Sequence, residues 1–265
     1  MLPGIDLPNW IVGCVTIALF VGLSVAGLAW SRRWSRERGL HALVDNGVIG
    51  WVFSAIVGIY AIAIGLIAVA TWGNASEASS AASHEAAAVA ALFRDVGGYP
   101  QPRRGELERL VRDYTSEVIE TDWPLQRLGE VPLTGARVLD DIQRSLYAYE
   151  PATIGQGVVH AEVLDSFNQV VEWRRLRLEA VEYALPGTLW GILLIGAAIA
   201  VGASFVFNMD SFQVHAVMSG LLAAMIGLLV FFIMVTDHPY HGQTGVSPEA
   251  FALALREQMS APSGH

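Results

Sequence analysis

Of the 265 residues in this chain, 53% are apolar and only 15% are charged, whereas soluble domains carry about 25% charged residues. That balance excludes an ordinary soluble globule and implies a membrane protein. The single cysteine, Cys14, excludes an intramolecular disulfide.

Four apolar runs are long enough for a hydrocarbon core of roughly 30 Å, which takes about 20 helical residues. They cover 10–30, 48–72, 187–207 and 213–235, and none carries Lys, Arg, Asp or Glu. Lipid leaves only helices or closed barrels, and continuous runs of this length mean helices. The predicted fold is all-α: a polytopic membrane protein with four transmembrane helices and an inserted extramembrane helical bundle. A first transmembrane hairpin takes 10–72 and the bundle takes 73–185. A second hairpin takes 186–235, and a polar tail with a short helix over 248–257 takes 236–265.

The stretch MLPGIDLPNW ahead of the first run has one acid and no base, unlike a cleavable signal peptide. The bases come after the run instead, in SRRWSRER, so the loop over 31–47 is expected inside and the N-terminus outside. Alternation then puts the bundle and tail on the outer face. Arg174, Arg175 and Arg177, close before the third run, pull the other way. Four Arg in the first loop against these three make the outer face the expectation.

The segment 73–185 holds eleven Arg against eighteen acids, so nucleic acid is not an expected partner. An Ala-rich stretch up to Arg94 continues the second run as helix, and Gly97-Gly98-Tyr99-Pro100 breaks it. In RRGELERLVRDYTSEVIE, Leu107, Leu110, Val111, Tyr114 and Val118 form the stripe of an amphipathic helix. TDWPLQRLGEVPLTG reads as a loop. Thr134 is placed to cap the next helix, whose stripe is Val138, Ile142, Leu146 and Tyr149. A further helix over 157–184 carries Val163, Phe167, Val170 and Val181 on one face. Pro186 opens the third span. In the tail, Ser247 is a natural N-cap, Pro248 fits the first helical position, and Phe251 and Leu255 share a face.

Certain residues then match a known pattern. Trp72 closes the second span, and Glu85-Ala86 and Arg94 lie in the Ala-rich helix. Pro102, Arg104 and Tyr114 come next, then Asp122-Trp123-Pro124 and Gly129. The tail gives Asp237, Pro239, Gly242, Val246-Ser247-Pro248 and Phe251. In these the chain resembles a bacterial family of four-span membrane proteins labelled bestrophin-like, over roughly 45–257. The resemblance implies an oligomeric ion channel in a bacterial inner membrane, by analogy with the pentameric bestrophin anion channels. Its implied partners are the lipid bilayer, further copies of the chain as a homo-oligomer, and small inorganic ions.

Candidate residues emerge from their chemistry. Gly187 and Gly191 form a GxxxG at the start of the third span. Ala216, Gly220 and Ala224 form a small-residue ladder in the fourth, with Gly227 beyond, and Gly58 and Gly65 lie one heptad apart in the second. Such ladders serve packing within one subunit or contact between subunits. His215 either meets water at headgroup level or acts as an intramembrane ionisable group. Asp210 is expected to cap the fourth span, or to attract cations as a ring around an oligomer axis. Asp237, His238 and His241 have the donor types of a metal site or charged vestibule. Pro239 between the two His ends helical geometry, so they serve better as punctuation, with Asp237 bonding backbone or one of Arg174, Arg175 and Arg177. Trp10, Trp30, Trp51, Trp72 and Trp190 at span ends fit an aromatic belt.

The chain shows no P-loop, GxGxxG, HExxH or nucleophile elbow. No catalytic residue, metal or cofactor is expected. The alternative to a channel is a membrane-anchored interaction or sensing module.

Overall fold

A computed structural model describes residues 8–37, 46–242 and 245–259. Residues 38–45 of the predicted basic loop, and 243–244 and 260–265 of the tail, lie outside the described residues. Nine α-helices are present among the described residues, with no strand. They are α1 (Asn9–Glu37), α2 (Asn46–Val96), α3 (Arg103–Glu117), α4 (Trp123–Arg127) and α5 (Thr134–Tyr147). Then come α6 (Ile154–Glu179), α7 (Gly187–Ser204), α8 (Phe212–Thr236) and α9 (Glu249–Glu257). Four of them, α1, α2, α7 and α8, are long and apolar enough to cross a membrane. The all-α, four-span architecture expected from the apolar runs is what the chain adopts.

The chain divides into two compact units. The first comprises 1–73 and 184–237. Within it α1 and α8 lie side by side at small residues. A Cβ on Gly227 would come within 3.1 Å of Phe20 and 3.3 Å of Ile17, and one on Gly13 within 3.1 Å of Phe231. Ser24 Oγ donates to the carbonyl of Ser219 at 3.2 Å. Part of α2 packs against α7 and α8 through Tyr60 and Ile64, and the Tyr60 hydroxyl donates to the carbonyl of Leu193 at 3.1 Å.

The second unit comprises 74–183 and 238–265. α2 is one unbroken helix of 51 residues that contributes to both units, as the Ala-rich stretch led us to expect. Alanines make this possible, because they give the best helix propensity and bury without bulk. Ala78, Ala82, Ala86 and Val89 form the α2 side of the core, and α3, α5 and α6 supply Val111, Ile142 and Val170.

Three local expectations need correction. The stretch from Asp122 to Arg127 is helical, not loop. Pro124 lies in the first turn of α4, where its missing N–H is no loss. Thr134 does not cap α5; Leu133 occupies the cap position, and the Thr134 hydroxyl donates to Asp122 instead. In the tail Pro248, not Ser247, is the residue before α9.

Candidate functional site

The second unit encloses a cluster of charged and polar side chains. α2 brings Glu85, α3 brings Tyr114 and α6 brings Arg177. Between α3 and α4 one turn, Val118–Asp122, is a π-helix. Its extra residue shifts the register of the α4 turn after it, so Val118, Asp122, Trp123 and Gln126 are all buried. Gly135 leaves room at the start of α5, where a Cβ would come within 2.9 Å of Asp122 Oδ2.

Arg177 is the hub. Its Nε donates to Glu85 Oε2 at 2.6 Å and its Nη2 to Glu85 Oε1 at 3.2 Å. The same Nη2 lies 3.7 Å from Asp122 Oδ2. The Tyr114 hydroxyl donates to Glu85 Oε1 at 2.5 Å. The guanidinium lies over the rings of Trp123 and Phe251, 5.5 and 5.8 Å from their centroids. The Tyr240 hydroxyl donates to the carbonyl of Arg177 at 3.3 Å. Glu85, Asp122, Gln126 and Arg177 are each 0% exposed.

Burial disfavours the charge on Arg177, yet the adjacent Glu85 carboxylate more than compensates and holds its pKa above the usual arginine value. Burial, and then the negative charge of Glu85, push the Tyr114 hydroxyl well above the ordinary tyrosine range. Both side chains are thereby fixed in their donor forms. Asp122 Oδ2, both polar atoms of Gln126, Arg177 Nη1 and Arg174 Nε are buried and accept or donate no hydrogen bond among the described residues. Such an arrangement holds charges in place. It ties α2, α3, α4, α6 and the tail together and offers no activated nucleophile.

The other predicted residues fall elsewhere. Asp237 accepts from the Leu185 N–H at 2.6 Å and from Trp190 Nε1 at 3.1 Å, fixing the start of the third span. Arg175 pairs with Glu179 on its own helix, and Arg174 donates to the carbonyl of Pro132. His238 and His241 face each other with ring centroids 4.9 Å apart. Among the described residues no group of three or more His, Cys, Asp or Glu is arranged to hold a metal. Gly242 has φ 74°, the left-handed turn conformation that glycine allows.

In the membrane-type unit, Asp210 is exposed and Ser211 is the cap of α8, its hydroxyl accepting from the Val214 N–H. A short polar side chain one residue nearer the helix reaches the orphan N–H first. His215 is buried within the protein, 2% exposed. Its Nε2 lies 2.8 Å from the carbonyl of Ser204 and its Nδ1 lies 3.3 Å from Arg32 Nη2. Arg32 also donates to the carbonyl of Met209. Gly227 packs tightly against α1, and Gly220 reaches only Val21, at 3.7 Å. Among the described residues, a Cβ on Gly187, Gly191, Gly58 or Gly65 would meet nothing within 4 Å.

A family model for the bestrophin-like domain matches residues 18–251. The chain belongs to the bestrophin-like family. A search of curated proteins finds no match. Among solved structures, the crystal structure of a membrane protein is similar at TM-score 0.70, with 12% identity over 93% of this chain and 97% of that one. At that identity the likeness concerns the fold. Five of the residues on which the resemblance rests lie together in this cluster. Glu85, Tyr114, Asp122, Trp123 and Phe251, scattered in sequence, converge on the Arg177 hub. Arg177 itself was legible only as one of three bases before the third span.

Proposed function

We propose that this bestrophin-like protein is a subunit of a homo-oligomeric ion channel in a bacterial inner membrane, with α2 at the contact between subunits. One observation carries the proposal. The apolar part of α2 turns Tyr60, Ile64 and Ile67 toward its own unit. Its opposite face shows Val48, Val52, Ala55, Ile59, Ile62, Leu66 and Val69, all exposed. Those positions alternate by four and three residues, the heptad seam of helices that pack along their length. Ile59, Ile62, Leu66 and Val69 are 67–72% exposed. Gly58 and Gly65 flank the seam with open space beside them, which lets another helix backbone approach closely.

A ring of such seams encloses a narrow apolar path, and channels use apolar constrictions that gate by dewetting. Family membership supports transport of ions over catalysis. The test is passive flux. Purified protein in liposomes is assayed for chloride and then potassium against empty vesicles, and flux of either ion supports the channel. Silence for both, from an inserted and oligomeric protein, favours a membrane-anchored interaction module instead.

A further inference from the structure

A cleft of about 350 Å³ opens between α3 and α5 in the second unit. α3 turns Arg103, Glu106 and Arg109 into it, and α5 turns Asp141, Arg144 and Ser145. Leu110, 8% exposed, forms an apolar floor. Three guanidiniums thus share a small concavity with two carboxylates, in a segment that is otherwise strongly acidic.

We propose that this cleft binds a small molecule through a phosphate group. Arg103 is held at the base, where its Nη1 donates to Ser145 Oγ at 2.9 Å and to Glu106 Oε2 at 3.1 Å. Ser145 is 6% exposed, so the inner end of the cleft is fixed. Arg109 and Arg144 are the rim. Each is held by an acid on its own helix, Arg109 by Asp113 at 2.9 Å and Arg144 by Asp141 at 2.7 Å. All four of those side chains are at least half exposed. Exposed pairs of this kind contribute little, so a dianion displaces the carboxylates easily.

The geometry selects the anion. A planar carboxylate is saturated by two guanidinium forks, whereas a tetrahedral phosphate offers three oxygens to three forks from different directions. The volume lies at the lower end of the small-ligand range of about 300–1,000 Å³. It suits a phosphate with a compact body rather than a polymer segment.

The test is titration calorimetry on the purified full chain in detergent at low salt, with inorganic phosphate and adenosine monophosphate as separate probes. Saturable binding of phosphate is expected. Tighter binding of the nucleotide places the ester's body in the cleft, and equal binding makes phosphate the whole ligand; both support the site. Arg109→Gln with Arg144→Gln, both rim residues, is expected to weaken binding about tenfold or more with unchanged helical circular dichroism. Arg109→Lys with Arg144→Lys keeps the charge and loses the forks, so it is expected to bind more weakly too. Absence of saturable binding by either probe overturns the proposal. So does wild-type affinity in the Lys variant, which would reduce the cleft to diffuse charge attraction.

Discussion

Arg177 and Glu85, 92 residues apart in sequence, form a two-point ion pair in which neither side chain reaches solvent. Breaking a buried pair strands a charge and costs about 3–5 kcal/mol, whereas removing both partners costs far less. Arg177→Met and Glu85→Leu are each expected to destabilise the protein by that amount in chemical denaturation. The double substitution is expected to lose less than either single one, because Asp122 then remains the only charge left without its close partner. Additive losses would mean that the two side chains do not act as a unit.

Asp237 holds the backbone of Leu185 and the indole of Trp190. Asp237→Ala leaves two partly buried donors unmet and is expected to cost about 1–3 kcal/mol. Thermal unfolding of the variant checks this, and a wild-type melting curve would show that the two bonds add nothing net.

Burial, and then the charge of neighbouring His238, lower the pKa of His241 below its ordinary value of 6.5. The folded state therefore favours neutral His241. The stability linked to this group is present above about pH 6.5 and is lost as the pH falls from there toward the lowered folded value. Below that value no further loss comes from it. Melting temperature against pH is expected to fall over this window in the wild type, and to fall less in His241→Gln.

His215 faces Arg32 with Nδ1, and arginine only donates, so Nδ1 accepts and Nε2–H donates to the carbonyl of Ser204. Nitrogen-15 NMR is expected to show this single neutral tautomer. His215→Phe leaves that carbonyl unmet and is expected to destabilise by about 1–3 kcal/mol. A wild-type melting curve for the variant would show that the bond adds nothing net.

How much of this was legible in the sequence depends on the range of the interactions. The four spans and the long Ala-rich helix rest on composition and local periodicity, and both are written in contiguous residues. Val163, Phe167 and Val170 were readable as one face for the same reason. The buried cluster was not, because it is made by five elements meeting in space. Asp122 looked like a loop residue until the π-turn placed it inside. Arg177 looked like a topology signal, as any base near a span does. Asp237 was legible as a residue that bonds backbone or a base, but Leu185 and Trp190 were not legible as its partners, because a backbone N–H leaves no mark in a sequence. The seam on α2 is not legible in the sequence, because every position in an apolar run looks alike until the opposite face is occupied.

In the proposed channel α2 meets other copies of itself along that seam. Cysteine cross-linking in membranes tests this contact, in a Cys14→Ser background. Ile62→Cys, 67% exposed on the seam, is expected to give a cross-linked dimer, the largest product that one cysteine per chain allows. Ile64→Cys, 2% exposed against its own unit, is expected to stay monomeric. Monomer from both, with the protein inserted and folded, would contradict an α2-centred oligomer.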